Sequence, residues 1–144
     1  MNKIFSMESD HPLFRYFTEA ERDRVERIGE VRRVAEGELL IRAGDLDSTL
    51  FAVEDGTLEI IGVDDGVEKV FATVGSGDVI GEVSFIDDSP RTMSVRATDD
   101  ATVRAWDKRT LSEALAFDPQ LLAKFGVAMS ELLVERLRDV ARRV

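Results

Sequence analysis

The part of the chain from Val31 to Trp106 alternates short β-forming runs with turn-forming pairs, and this pattern constrains the fold more than any other feature. The breaks contain glycine beside Asp, Glu or Ser, and Asp-Gly pairs favour tight hairpins because glycine tolerates a positive φ. Seven or eight short antiparallel strands at this spacing predict a sandwich or jelly-roll barrel, not a parallel sheet with crossover helices. The predicted strands are EVRRVA, ELLIRA, TLFAVED, TLEIIGV, EKVFATV, MSVRAT and ATVRAW.

Helical patterns flank this β-rich region on both sides. Before it, two short helices are predicted over Leu13–Phe17 and Glu19–Ile28. After it, KRTLSEALAF predicts one short helix, and Asp118 followed by Pro119 predicts the start of a longer helix that reaches about Ala141. That helix is amphipathic, with apolar residues every three or four positions in one stripe: Leu122, Phe125, Met129, Leu132, Leu133, Leu137 and Val140.

The fold class is therefore mainly β with flanking helices. We expect an antiparallel double-stranded β-helix, the jelly-roll barrel, between N-terminal helices and a long C-terminal amphipathic helix. The 144 residues, 44% of them hydrophobic, suffice for one core. One domain is predicted over residues 1–144, with an N-terminal helical segment at 10–30, a β-roll at 31–106 and C-terminal helices at 107–144.

Composition argues against several classes of function. The chain has no cysteine, which removes disulfides, thiolate zinc sites and thiol nucleophiles. Its single histidine, His11, leaves little material for imidazole chemistry or a metal cluster, so no metal is expected. The net charge of −10 and the pI near 4.6 argue against nucleic acid as a partner, because phosphate binding depends on clustered Lys and Arg.

The sequence also predicts a cytoplasmic protein without membrane contact. It contains no run of about 18 apolar residues. Its start, MNKIFSMESD, lacks the apolar stretch of about 7–15 residues that a signal peptide requires.

The segment GEVSFIDDSPRTMSV, at residues 81–95, is the most specific motif in the sequence. It resembles the phosphate-binding cassette of the cyclic-nucleotide-binding domain family, which occurs in the catabolite activator protein, in regulatory subunits of cyclic-nucleotide-dependent kinases and in nucleotide-gated channels. LLIRAGDLDSTLFAVEDGTLEI is similar to the family's glycine-spaced hairpin, and LFRYFTEAERDRV is similar to its N-terminal helices. The cassette, taken as 80–95, differs from the family pattern at Ile80, where Phe is usual, and at Met93, where Ala is common.

The cassette chemistry suits a cyclic phosphodiester joined to a ribose. The planar guanidinium of Arg91 can donate paired hydrogen bonds to phosphate, and an ionised Glu82 can accept from the ribose 2′-hydroxyl. The resemblance implies these same roles, and it implies that backbone amides bind the remaining phosphate oxygens. The predicted ligand-binding residues are Gly81, Glu82, Val83, Ser84, Pro90, Arg91, Thr92 and, on the long helix, Met129.

The resemblance implies a cyclic nucleotide receptor or regulatory module whose ligand is cAMP or cGMP. No nucleophile with a base, metal cluster or P-loop accompanies the site, so no enzymatic activity is expected. Because the chain ends soon after the long helix, we expect a stand-alone domain that signals through this helix by protein contact, as a homodimer or with a protein partner. The basic residues at the helix end, including Arg136, are interpreted as a cationic terminus that interacts with the helix dipole.

Two other interpretations remain. In the first, the chain is a degenerate domain in which Met93 and the acidic loop at Asp87 and Asp88 prevent binding, and it acts as a structural or interaction module. In the second, it is a metal-dependent enzyme on a similar jelly roll, which the single histidine disfavours.

Overall fold

The structure is a computed structural model, and it describes residues 12–143 of the chain. His11 and the beginning of the helical segment predicted from residue 10 lie outside the described residues.

Eight strands in this part of the chain form two four-stranded sheets, and every pairing is antiparallel. The strands of the first sheet, in spatial order, are β1 (Glu30–Val34), β8 (Ala101–Trp106), β3 (Leu50–Asp55) and β6 (Val79–Ile80). Those of the second sheet are β2 (Leu39–Ile41), β7 (Ser94–Ala97), β4 (Leu58–Asp64) and β5 (Val67–Val74). All seven strands written out from the sequence are present, and β6 is additional.

The two sheets do not close into the expected jelly-roll barrel. Within residues 12–143 no strand pairing joins one sheet to the other. The edge strands β6 and β2 contain only two and three residues, so each offers few backbone groups for a further ladder. The fold is therefore a pair of open antiparallel sheets with flanking helices.

Strand β3 is buried on both faces and separates two apolar clusters. Its side chains alternate, as the pleat requires, so that Leu50 and Ala52 belong to one cluster and Phe51 and Val53 to the other. The second cluster contains residues of both sheets, among them Ile41, Leu58, Val95 and Val103. The first cluster packs the helices against the sheet and includes Leu13, Val25, Trp106, Leu121 and Phe125.

Four α-helices lie in the described part of the chain: α1 (Glu19–Ile28), α2 (Glu82–Asp87), α3 (Lys108–Leu115) and α4 (Pro119–Arg143). Helix α1 begins with the capping box of Thr18 and Glu21, and it has the predicted bounds. Asp118 caps α4 by accepting from the Leu121 N–H at 3.1 Å.

The short helix predicted over Leu13–Phe17 is wrong. This segment forms a single 3-10 turn at Pro12–Phe14, followed by a turn in which the Phe17 N–H donates to the Phe14 carbonyl. Leu13 and Phe14 are buried in the helical cluster, so tertiary packing holds the segment without a continued helix.

Helix α4 carries two apolar faces instead of the one stripe that the sequence predicted. The inner face is buried and consists of Leu121, Phe125, Ala128, Met129 and Leu132. Three residues assigned to the same stripe, Leu122, Leu137 and Val140, are exposed. Leu137 and Val140 are exposed because α4 buries no residue in its C-terminal part, beyond Leu132. Leu122 is exposed because it follows the buried Leu121 by one residue, which turns it about 100° away from the inner face.

Of the helices within residues 12–143, none combines the length and the apolar character needed to cross a membrane.

Candidate functional site

A cavity of about 150 Å³ lies where the second sheet meets α2 and α4. Its apolar wall comes from four strands and the loop before β7, with Ile41, Ile60, Ile80, Met93 and Val95. The other lining residues come from the cassette and from α4, and they supply polar side chains or backbone groups. They are Gly81, Glu82, Val83, Ser84, Arg91, Thr92 and Arg136. Six of the eight predicted ligand-binding residues therefore meet at one cavity.

Gly81 occupies a position that no larger residue fits. Its φ of +85° is in the left-handed region, and an added Cβ would lie 2.8 Å from the Thr49 carbonyl oxygen and 2.9 Å from Nη1 of Arg91. Gly81 is also the N-cap of α2, so the chain turns directly from β6 into the helix. Val83 and Ser84 lie in the first turn, where N–H groups have no intrahelical acceptor.

Arg91 is almost fully buried, with 5% of its surface exposed. Its Nη1 donates to the Gly81 carbonyl at 3.1 Å, and its Nη2 donates to the Thr49 carbonyl at 2.6 Å and to Oδ2 of Asp47 at 3.0 Å. Its Nε is buried and has no hydrogen-bond acceptor among residues 12–143. The guanidinium is therefore fixed in orientation, and two of its five N–H donors, the Nε–H and one Nη1–H, have no acceptor among the described residues.

Asp47 is a site residue that the sequence interpretation missed. One carboxylate oxygen accepts from the N–H and the hydroxyl of Thr49, and the other accepts from Arg91. Burial alone would raise the pKa of Asp47, but the hydrogen bonds from Thr49 and Arg91 outweigh it and lower the pKa below its usual value. Asp47 therefore stays ionised and holds the Arg91 guanidinium against the cassette.

Arg136 reaches the cavity from α4, and its role was misinterpreted from the sequence. Its Nη1 donates to Oε2 of Glu82 at 2.5 Å, and its Nη2 donates to the Val79 carbonyl. The side chain of Glu82 is 9% exposed and that of Arg136 is 37% exposed, so the ion pair is partly shielded from water. Arg136 follows Leu132 by four residues and Met129 by seven, which places a cation on the buried face of the helix. That spacing is the sequence signal that could have identified Arg136 as a cavity residue.

Two predicted residues do not reach the cavity. Met129 belongs to the buried helical cluster that includes Phe85 and Phe125, and it is absent from the cavity wall. Pro90 is exposed and lies outside the wall, at the end of the loop that leads to Arg91.

The acidic loop of the cassette is exposed, as expected, but its charges have partners. Asp88 accepts from the Ser48 hydroxyl at 2.8 Å and from Nζ of Lys108 at 3.0 Å, and these contacts lower its pKa. Asp87 accepts from the N–H and the hydroxyl of Ser89, which lowers its pKa as well. Lys108 therefore offsets part of the negative charge of this loop.

Within residues 12–143 no group of three or more His, Asp or Glu side chains is arranged to hold a metal ion.

The comparisons with known proteins identify the family of the chain. The family model for the cyclic nucleotide-binding domain matches residues 31–118, and the chain therefore belongs to that family. Domains of this family are regulatory rather than catalytic. The chain is 34% identical over 98 residues to the cAMP-dependent protein kinase regulatory subunit of Mycosarcoma maydis, a match that covers 66% of this chain and 19% of that protein.

Solved structures show the same fold. The catabolite activator protein of Thermus thermophilus superposes with a TM-score of 0.82 at 25% identity, over 92% of this chain and 61% of that chain. A cyclic nucleotide-binding domain from Methylobacillus flagellatus superposes with a TM-score of 0.85 at 23% identity, over 97% of this chain and 84% of that chain. The chain spans about a fifth of the length of the first curated relatives that it matches.

Proposed function

We propose that this chain binds cAMP or cGMP as a regulatory receptor. The observation that carries the proposal is Arg91, a buried guanidinium at the cavity with an unused Nε–H. A buried donor without an acceptor costs roughly 1–3 kcal/mol, which a ligand oxygen would recover. Phosphate is the matching partner because it is anionic and accepts several hydrogen bonds from one guanidinium.

The other predicted residues fit the remaining parts of a cyclic nucleotide. Arg136 uses only Oε2 of Glu82, which leaves Oε1 for a ribose hydroxyl. Val83 and Ser84, in the first turn of α2, line the cavity together with Gly81 and Arg91, and their amides would donate to the remaining phosphate oxygens. The aliphatic wall offers an apolar surface for a base.

The size of the cavity indicates that binding requires a rearrangement. A volume of about 150 Å³ is below the range of roughly 300–1,000 Å³ that is typical of ligand pockets. Arg136 lies beyond Leu132, the last buried residue of α4, so hydrogen bonds to Glu82 and Val79 hold this part of the helix more than apolar packing does. We propose that the ligand shifts α4, and that this shift is the regulatory signal.

The outer face of α4 fits a second copy of the chain. Its exposed residues Ala123, Val127, Ser130, Val134 and Leu137 are spaced alternately by four and three, the heptad spacing of a coiled coil. Val127, Val134 and Leu137 are 50%, 45% and 69% exposed. Val127 and Val134 occupy one core position, and Ala123, Ser130 and Leu137 occupy the other, so the valine–leucine combination that favours two parallel strands is present in the last heptad. We therefore propose a homodimer through α4.

The dimer is tested by sedimentation of the wild type, Val134→Glu and Leu122→Glu. Leu122 is an exposed apolar residue of α4 that lies off the heptad row, so it controls for the added charge. We expect dimers for the wild type and Leu122→Glu and monomers for Val134→Glu. A monomeric wild type, or dimers for all three proteins, would contradict the coiled coil.

Nucleotide binding is tested by thermal unfolding with cAMP, cGMP, linear AMP and linear GMP. At about 100 times its Kd, a ligand that binds only the folded state adds roughly 2.7 kcal/mol. A cyclic nucleotide should therefore raise Tm by several degrees, and the linear forms should raise it much less. If no cyclic nucleotide changed Tm at millimolar concentration, the degenerate module would be the better interpretation. A cytoplasmic location stays a prediction from the sequence.

A further inference from the structure

We propose that Met93 is a movable wall of the cavity that sets which base the site accepts, and that Gly62 and Phe71 define the space into which it moves. The proposal rests on the proposed nucleotide binding and adds a size limit to it. Met93 is half-buried and lines the cavity with Ile60 and Val95.

Gly62 provides the room that a side chain as large as Met93 needs. A Cβ added at Gly62 would lie 2.7 Å from Cε2 of Phe71 and 3.4 Å from Cε of Met93. Both side chains therefore adjoin the same point on β4. A side chain at position 62 would force the Phe71 ring to shift, and its Cβ would lie in van der Waals contact with the Met93 methyl group, which takes up the space beside Gly62.

Phe71 forms the outer boundary of this space, and its ring is able to move. Ile60 and Ile61 of β4 pair with Ala72 and Val70 of β5, so Phe71 is the extra residue of a bulge. Strand β5 is the edge of the second sheet and pairs only with β4. Phe71 is 37% exposed, so one side of its ring faces solvent. The ring has room to move outward without disturbing either buried cluster.

Met93 is the lining residue best suited to move. Its side chain is unbranched and flexible, whereas Ile41, Ile60, Ile80 and Val95 are β-branched and stiff at χ1. A base larger than the resting cavity allows would press on this wall and drive the thioether towards Gly62 and Phe71. The space behind Met93 is finite, so the displacement limits the size of the base.

The test compares wild type, Met93→Ala and Gly62→Ala by calorimetric titration with cAMP, which has a purine, and cyclic CMP, which has a pyrimidine. Met93→Ala should strengthen cAMP binding by about fivefold or more, because it removes the overpacking of the purine against the Met93 side chain. It should change cyclic CMP binding less, because the smaller pyrimidine presses less on this wall. Gly62→Ala should weaken cAMP binding, and it should do so less in a Met93→Ala background. Gly75→Ala is the matched control, because its added Cβ would make only ordinary contacts at 3.8 Å.

The outcomes separate the wall from the proposed function. The wall proposal would fail if wild type and Met93→Ala bound cAMP with equal affinity and had the same ratio of cAMP affinity to cyclic CMP affinity. Nucleotide binding itself would then still stand. Binding of cAMP by Met93→Ala alone would overturn the movable wall, because it would show that Met93 stays in place and closes the wild-type site. If neither protein bound any cyclic nucleotide, both proposals would fail. Thermal unfolding without ligand checks that each variant is folded.

Discussion

Arg136 and Glu82, which are 54 residues apart in the sequence, form an ion pair at 2.5 Å. This pair joins the C-terminal part of α4, beyond Leu132, to the cassette. Arg136 also donates to the Val79 carbonyl in β6, so it contacts the chain on both sides of Gly81. A ligand that engages Glu82 therefore acts on a residue already bound to α4. The contact gives the proposed signal a physical route from the cavity to the helix.

Arg136→Gln should destabilise the C-terminal part of α4, beyond Leu132, in the ligand-free protein. The substitution removes one charge-assisted hydrogen bond to a carboxylate that is 9% exposed, and such bonds contribute about 1.5–3 kcal/mol before any solvent screening. Hydrogen exchange after Leu132 should therefore become faster. Arg142→Gln is the control, since its partner Asp139 lies on the same exposed surface. Equal exchange in the two variants would show that the Glu82 contact does not hold the helix.

Arg91→Lys should weaken cyclic nucleotide binding by more than about tenfold, because a point ammonium cannot replace a bidentate fork. Titration calorimetry measures the loss, and Tm without ligand shows how much of it reflects the buried contacts to Thr49 and Gly81. Arg104→Lys is a matched control, since Arg104 is also paired and partly buried but lies outside the cavity wall. A similar effect of both substitutions would place the phosphate elsewhere.

Asp47 should make stability depend on pH in the acidic range. Its pKa in the folded protein is lowered, so its contribution is fully present above the ordinary carboxyl value of about 3.9 and is lost as pH falls through the lowered value. The stability difference between wild type and Asp47→Asn should accordingly be largest near neutral pH and shrink in acid. Denaturant unfolding at several pH values measures it. A difference that stayed constant with pH would show that the Asp47 charge is not involved.

Thr92 should distinguish cGMP from cAMP if its hydroxyl meets the base. It is exposed, lies at the cavity beside Arg91, and could contribute one neutral hydrogen bond of about 0.5–1.5 kcal/mol, or roughly two- to twelvefold in affinity. Thr92→Ala should then reduce cGMP affinity more than cAMP affinity. Titration of both proteins with both ligands provides the comparison. An equal loss would place the hydroxyl on the phosphate.

Features fixed by neighbouring residues were predictable from the sequence. The bounds of α1 and the start of α4 follow from caps at Thr18 and Asp118, whose partners lie three residues away. The cassette was also recognisable because Gly81 and Arg91 lie within one short segment, and the structure brings six of its predicted residues to the cavity.

Features that depend on distant partners were not predictable in the same way. Strand β6 has two residues and exists because Val79 and Ile80 pair with β3. Asp47 precedes its partner Arg91 by 44 residues, and Arg136 follows its partner Glu82 by 54 residues. Met129 was assigned to the site from helical periodicity, which identifies a buried face but not what that face contacts.

The measurement that tests the central claim most directly is calorimetric titration of the wild type with cAMP and cGMP, alongside Arg91→Ala. We expect saturable binding of at least one of the two nucleotides, with one site per chain and a large loss of affinity in Arg91→Ala. Absence of binding to both nucleotides at millimolar concentration, or equal affinity in Arg91→Ala, would contradict a cyclic nucleotide site at this cavity.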